Sequence, residues 1–405
     1  MEISASSNSL PETSKVKPRC RHFGECGGCR LQDVPYEAQL AAKAESLRGL
    51  MERAGWAAAV NVRPSPEQWF YRNKMEFSFQ DVYPVPPAGG DPLLLGLKRR
   101  NRWDKVLNLA ECFLMSPEVP ALLESVHAWA RKEKLEPYNL HKQVGFLRHL
   151  LVREGKNTGE RTVHLITAPG QLPARGFVEA VRSSYPASTV LRGVYSGKAD
   201  VAFSDSIEIL HGEGCLHEEI LGKRVRISPH AFFQTNTRGA ELLYGMLREW
   251  LAQLRPKRLL DLYCGVGSIS FCLADLCENV FGVEVAESAV ADARANASEL
   301  GMRNVEFQAA KAEELLPAFA AQGVDVDVVV ADPPRSGLHP AVVEALKTLS
   351  PGWILYVSCN PKAMAEDIRK LSSSFDLQKV EGIDLFPHTD HLESVALLRS
   401  AFLQG

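Results

Sequence analysis

The chain has 405 residues, enough for two or three domains, and its 45% hydrophobic and 23% charged content is that of a folded globular protein. A formal net charge of −3 excludes a protein that coats nucleic acid indiscriminately, although it leaves room for a local basic face. No apolar run approaches the roughly 20 residues needed to span a bilayer, so no membrane partner is expected.

Residues 1–17 are polar and Ser-rich with no apolar core for a secretory signal, so they read as a disordered leader and the protein as cytoplasmic. In that reducing compartment nine cysteines point to metal binding or catalysis rather than disulfides. Cys20, Cys26 and Cys29 fall within ten residues, interleaved with glycines that let the backbone fold tightly. The next cysteine, Cys112, supplies a fourth ligand. Four thiolates suit zinc or an iron–sulfur cluster, and the three-plus-one spacing favours the cluster. His22 is the alternative ligand in that stretch.

Apolar positions between Pro35 and Gly55 recur at helical spacing. Short alternating segments follow at Tyr71–Phe79 and Leu93–Trp103, separated by a Pro- and Gly-rich loop over Pro84–Pro92. A helix is predicted over 118–135, then strands at Val144–Glu154, Thr162–Ala168 and Thr189–Tyr195. Residues 30 to about 215 thus read as a β-rich domain carrying a few helices. Three basic clusters mark it: Arg72 with Lys74; Lys98, Arg99, Arg100 and Arg102 beside Trp103; and Arg148, His149 and Arg153. Arginines pair with phosphates and stack on bases, as aromatic faces do, so this domain is expected to touch RNA.

A different architecture begins near residue 228. A helix is predicted over Arg238–Leu251, then a buried strand running into Asp261-Leu-Tyr263-Cys-Gly265-Val-Gly267, with a helix from Ser268. The turn has neither the Lys-Ser/Thr of a phosphate cradle nor the full dinucleotide fingerprint. Asp-x-x-x-Gly-x-Gly instead suits a cofactor bearing a cation and hydroxyls. The strand Val280–Glu284 ends on an acid placed to bond a ribose diol. Strict alternation continues through Val305–Gln308 and Asp327–Ala331, which leads to Asp332-Pro-Pro-Arg335. It ends at Ile354–Val357, which leads to Ser358-Cys359-Asn-Pro. Polar residues at every strand end make this a ligand-binding α/β domain. Cys359, at the rim beyond a strand, is placed where a thiolate can attack a substrate.

Phe233-Gln234-x-Asn236, Asp261-Leu-Tyr-Cys-Gly-Val-Gly, Asp332-Pro-Pro-Arg, Ser358-Cys-Asn-Pro and His391-Leu-Glu393-Ser-Val together resemble the RNA uracil-5-methyltransferase family. The leading Cys-x5-Cys-x2-Cys with a distant fourth cysteine is similar to its iron–sulfur branch, which includes enzymes for large-subunit ribosomal RNA. The transfer RNA members generally lack those cysteines, and the extra N-terminal RNA-binding barrel of some relatives is not seen. The resemblance implies an α/β chain: an iron–sulfur segment with a β-rich RNA-binding domain over 18–215, and a Rossmann-like methyltransferase domain over 216–405.

It implies S-adenosylmethionine as methyl donor, a 4Fe–4S cluster on Cys20, Cys26, Cys29 and Cys112, and a monomer acting on RNA, 23S ribosomal RNA in particular. By family position Cys359 is the nucleophile, Glu393 the proton acceptor and Asp332 the residue that orients uracil. Gln234, Asp261, Tyr263, Gly265, Gly267 and Glu284, with Asp332, would hold the donor. Lys311 stands where relatives place an acid for the adenine. Two other readings remain: an RNA cytosine-5 methyltransferase, disfavoured because the fourth strand ends in Asp-Pro-Pro-Arg, and a non-catalytic iron–sulfur RNA-binding protein.

Overall fold

A computed structural model describes residues 15–57, 59–82 and 92–403. The first fourteen residues of the predicted leader, and residues 83–91 of the Pro/Gly-rich loop, lie outside the described residues.

The first elements are a helix α1 (Tyr36–Arg53) and a short strand β1 (Asn61–Arg63). A seven-stranded sheet follows, made of β2 (Lys74–Asp81), β3 (Leu93–Arg99), β4 (Arg102–Asn108), β5 (Leu147–Glu154), β6 (Arg161–Thr167), β7 (Thr189–Val194) and β8 (Ser206–His211), in the order β4-β3-β2-β5-β6-β7-β8. Its pairs are antiparallel except β6–β7, which α3 (Ala174–Ser184) joins as a crossover. Helix α2 (Val119–Lys132) packs with α3 over this sheet, burying Val119, Leu122 and Val126 against Phe77, Leu150 and Phe177. Every residue of β5 is buried, so both of its faces are covered.

A tight hairpin, β9 (Leu216–Ile220) and β10 (Lys223–Ile227), turns through Leu221 and Gly222. Both have positive φ, 47° and 74°, as a two-residue turn matched to strand twist requires. Helix α4 (Thr237–Leu254) then starts at Asn236, whose side chain accepts from the Gly239 amide at 2.9 Å.

The C-terminal half alternates as the sequence predicts: β11 (Arg258–Leu262), α5 (Ser268–Leu273), β12 (Asn279–Glu284), α6 (Glu287–Glu299), β13 (Val305–Ala309), α7 (Ala312–Gln322), β14 (Val328–Ala331), α8 (Pro340–Leu349), β15 (Trp353–Ser358) and α9 (Pro361–Leu371). Two long strands close it, β16 (Phe375–Ile383) and β17 (Glu393–Ser400). The sheet order is β1-β16-β17-β15-β14-β11-β12-β13. Strand β14, and β15 as far as Val357, are continuous apolar runs because helices bury both faces of a parallel sheet, whereas β11 carries Asp261 within its run. Two apolar clusters fill those faces. One centres on α4, α5 and α6, the other on α1, α8 and α9.

The division expected at 215/216 is crossed by the chain's beginning. β1 pairs in parallel with β16 (Asn61↔Glu381), and Leu47, Met51 and Val60 join the core under α8 and α9. Residues 36–63 therefore belong with the eight-stranded sheet, not the seven-stranded one. Strand order reverses between β11 and β14, both of which run parallel and side by side. The crevice at their carboxyl ends is where such folds bind ligands.

Candidate active site

Asp332, immediately after β14, and Asp261, on β11, line that crevice from adjacent strands. Asp261 is fully buried; Ser270 donates to its Oδ2 at 2.6 Å, and its Oδ1 has no hydrogen-bond partner. Burial raises its carboxyl to about 7, against the lowering effect of Ser270. Burial, then the charge of Asp261, also raises Asp332, whose Oδ2 accepts from Gln234 Nε2 at 3.2 Å.

The β15–β17 pair supplies the next two groups. Ser358 lies opposite Ser394 in antiparallel register, so Cys359 and Glu393 follow as neighbours at the same sheet end. The Ser394 hydroxyl donates to the Ser358 carbonyl at 3.0 Å, locking this junction. Glu393 is 1% exposed, its Oε1 has no hydrogen-bond partner, and burial and then Asp332 hold its carboxyl well above the ordinary value. Cys359 is half-buried. Its thiol is raised by burial, then by the negative charges of Glu393 and Asp332, with Arg335 acting the other way. The structure thus brings Cys359, Glu393, Asp332 and Gln234 into one electrostatic group.

The loop after β11 forms the other wall. Tyr263, Gly265 and Gly267 all have positive φ, and a Cβ on Gly267 would meet the Phe271 ring at 2.6 Å. Glu284 caps this loop. Its Oε2 accepts from Gly265 N at 3.2 Å and its Oε1 from Ala286 N at 2.9 Å. An acid at the end of β12 over a glycine-bearing turn with positive φ fits a ribose-bearing ligand. Lys311 is turned away, with Nζ 2.8 Å from Glu314, while Glu313 comes near enough to help raise the Tyr263 phenol, already pushed up to about 12 chiefly by burial.

Cys20, Cys26, Cys29 and Cys112 line one cavity, together with Gly28, Leu97 and Leu114. Burial, the largest influence on each, pushes Cys26 up to about 11 and Cys29 to about 12, and the neighbouring thiols add to the rise. Four thiols so placed favour a cationic occupant that would neutralise their thiolates, which fits a metal centre. His22 is otherwise engaged, since its Nε2 accepts from the Ala110 amide at 3.1 Å. Glu213, Cys215 and His217 also bring their ligand atoms within 4.8 Å of one another. There Glu160 holds His217 Nδ1 at 3.1 Å and pairs with Arg224 at 2.8 Å, so the group reads as an ion-paired network.

The three basic clusters part company. Arg148, His149 and Arg153 are 4%, 6% and 6% exposed. The Arg148 guanidinium lies 3.6 Å from the Tyr138 ring centre and donates to the carbonyls of Gly197 and Ala199, so it packs the interior and offers no face to RNA. Sequence alternation alone could not separate a covered sheet face from a wet one. Arg99 pairs with Glu25 and Arg102 with Asp104, both at the surface, and Arg100 adjoins them on the β3–β4 turn. The Trp103 side chain lies outside the described residues. Lys74 pairs with Glu76, and Arg72 bridges to Asn236 through its backbone.

Asn73, which the sequence reading passed over, is buried; its Nδ2 donates to the Gln234 carbonyl at 2.7 Å and to Thr237 Oγ1 at 2.9 Å. It ties the central sheet to the loop that carries Gln234.

Among the described residues no helix is long and apolar enough to cross a membrane. A model of the tRNA (uracil-5-)-methyltransferase family matches residues 219–401. An RNA methyltransferase of Halalkalibacterium halodurans is 35% identical over 390 residues, covering 95% of this chain and 83% of its own. One from Nitratidesulfovibrio vulgaris is 37% identical over 391 residues, covering 94% and 82%. The crystal structure of Pyrococcus abyssi tRNA (uracil-54, C5)-methyltransferase with S-adenosyl-L-homocysteine superposes with a TM-score of 0.75 at 31% identity, covering 92% of this chain and 85% of that one. Similarity running through both sheets, over a crevice with a cysteine and a carboxylate at one strand end, makes this chain a member of the RNA uracil-5-methyltransferase family, an enzyme dependent on S-adenosylmethionine.

Proposed function

We propose that the protein methylates carbon-5 of a specific uridine in 23S ribosomal RNA through a covalent bond to Cys359. The observation that carries the covalent reading is the register Ser358↔Ser394, which sets Cys359 beside Glu393 at the mouth of the crevice. Uracil carbon-5 is a weak nucleophile. The Cys359 thiolate adds to carbon-6, and the ring electrons pass to the exocyclic oxygen as an enolate. Carbon-5 then forms its bond to the donor's methyl group as the carbon–sulfur bond of the sulfonium breaks. Glu393 takes the carbon-5 proton, the 5,6 double bond re-forms, and the electron pair of the carbon–sulfur bond returns to Cys359.

Asp332 orients the ring through its nitrogen and exocyclic oxygen, with Gln234 steadying its Oδ2. Asp261, Tyr263, Gly265, Gly267 and Glu284 hold the donor. A base in folded RNA must be splayed out to reach Cys359. Cys20, Cys26, Cys29 and Cys112 hold a 4Fe–4S cluster, and a cytoplasmic setting accords with all nine cysteines being free.

The ribosomal target rests on the cluster cysteines. A transfer RNA target is the second reading, favoured by the superposition on an archaeal tRNA (uracil-54, C5) enzyme. Nucleotide-resolution mapping of 5-methyluridine, in cells with and without the gene, decides between them. Loss of one methyl in 23S RNA is expected; loss confined to transfer RNA moves the assignment, and no lost site in either overturns it.

A further inference from the structure

Residues 384–392 connect β16 to β17 and deliver Glu393 to the crevice. The segment that follows Cys29 grips this loop at the His388 backbone, and the Arg30 side chain pairs with Asp390 at 3.3 Å, both groups exposed. The amides of Arg30 and Leu31 both donate to the His388 carbonyl, at 2.8 and 3.0 Å. The His388 amide donates to Gln39 Oε1 at 3.0 Å, and Gln39 Nε2 returns to Leu31 and Val34 carbonyls at 2.9 and 2.8 Å and to His388 Nδ1 at 3.2 Å. Before this point in the loop, Lys43 Nζ pairs with Asp384 Oδ1 at 2.7 Å, with both side chains buried, and the Tyr71 hydroxyl donates to the Pro387 carbonyl at 3.1 Å.

His388 itself is 4% exposed, stacks on Trp69 at 3.8 Å, and adopts φ = +63°, a left-handed conformation that is uncommon for a residue with a Cβ. Such backbone strain persists only where surroundings over-determine it, and it gathers at functional sites. Here the surroundings are a thiol-bearing segment whose last ligand, Cys29, is covalently adjacent to the gripping amide of Arg30.

We infer that His388 is a positioning residue: its left-handed turn, clamped by the segment that leaves the four-cysteine centre, sets Glu393 for the proton-removal step. The inference rests on the assignment of Glu393 above. With the centre filled, Cys29 is fixed, the two amides hold the His388 carbonyl, and the carboxylate meets the carbon-5 proton. With the centre empty, the grip loosens and the last step of the cycle suffers first. Attack by Cys359, just beyond β15, and methyl transfer are spared, because this loop does not carry Cys359.

Two substitutions in the full-length, cluster-loaded enzyme separate positioning from bulk stability. Both remove the imidazole, but Asn tolerates a left-handed φ and the β-branched Val does not. His388→Asn is expected to turn over within about threefold of the parent. His388→Val is expected to lose at least tenfold in turnover while methylating in the first cycle, and to accumulate RNA bound to Cys359 on a denaturing gel. Equal behaviour of the two variants, or loss of attack and release together in His388→Val, overturns the proposal.

Amide hydrogen exchange of the parent protein needs no variant to fold. Stripping the metal by chelation should speed exchange over 386–391 at least tenfold and leave 394–399 in β17 unchanged. No change over 386–391, or an equal rise in both segments, overturns the link to the cysteine centre. A Glu393→Gln control that gives no trapped RNA would instead sink the assignment of the base, and the exchange result would stand apart from it.

Discussion

In the proposed cycle Cys359 and Glu393 act at opposite ends, so their variants should fail differently. Cys359→Ala should give neither product nor a trapped complex. Glu393→Gln keeps the nucleophile and loses the base, a group that contributes about 10²–10⁴-fold. It should attack, methylate and stall, leaving a protease-sensitive shifted band with radiolabelled RNA. If Cys359→Ala still methylates, the nucleophile is elsewhere. The protons point the same way. The Cys359 thiol and the Glu393 and Asp332 carboxyls are all held above their ordinary values, chiefly by burial, so the resting site is over-protonated for its task. Single-turnover adduct formation should therefore rise with pH, from about neutral into the alkaline range. Because Glu393 is the largest of the charges raising the thiol, alkylation of Cys359 in Glu393→Gln should shift to lower pH; an unchanged profile would mean that the two do not share a field.

The β3–β4 hairpin is the element whose charges remain available to RNA. Arg99 and Arg102 are paired with surface carboxylates, in pairs held weakly enough for a phosphate to displace. Replacing Arg99, Arg100 and Arg102 with Ala should weaken RNA binding and flatten the slope of log affinity against log salt by up to about 2, at roughly 0.7 per charge for a single strand. An unchanged slope would place the RNA face elsewhere. By sequence the cluster around Arg148 looked equivalent to this one, and burial of all of β5 is what separates them. The strand ends bearing Asp261, Glu284, Asp332 and Cys359 were legible because each closes an apolar run. Glu393 was legible only through the resemblance, since its meeting with Cys359 depends on the β15–β17 register. Likewise nothing local in Asn61–Arg63 says that its partner is β16.

At the scale of the molecule the crevice stores a cost that pH can expose. Asp261 has a folded value of about 7, above roughly 4 for an unfolded aspartate, so the native state binds its proton more tightly. Its contribution to stability is whole below about pH 4 and is lost as pH rises through about 7. Chemical denaturation of the donor-free protein should show stability falling across that window, and Asp261→Asn should flatten the fall.

The pairing of Asn61 with Glu381 has a consequence for how the enzyme comes into being. These partners lie roughly 320 residues apart in the chain. During translation the central sheet and the β11–β15 core can form as they emerge from the ribosome, one domain after another. β1 and α1, made among the first, must wait for β16 and the loop with His388, which are made among the last. A growing chain therefore carries Cys359 before Glu393 has been added. Attack on RNA at that stage would have no exit. Closure of the sheet by its earliest strand is thus expected among the last folding events, once Cys359 and Glu393 are both in the chain.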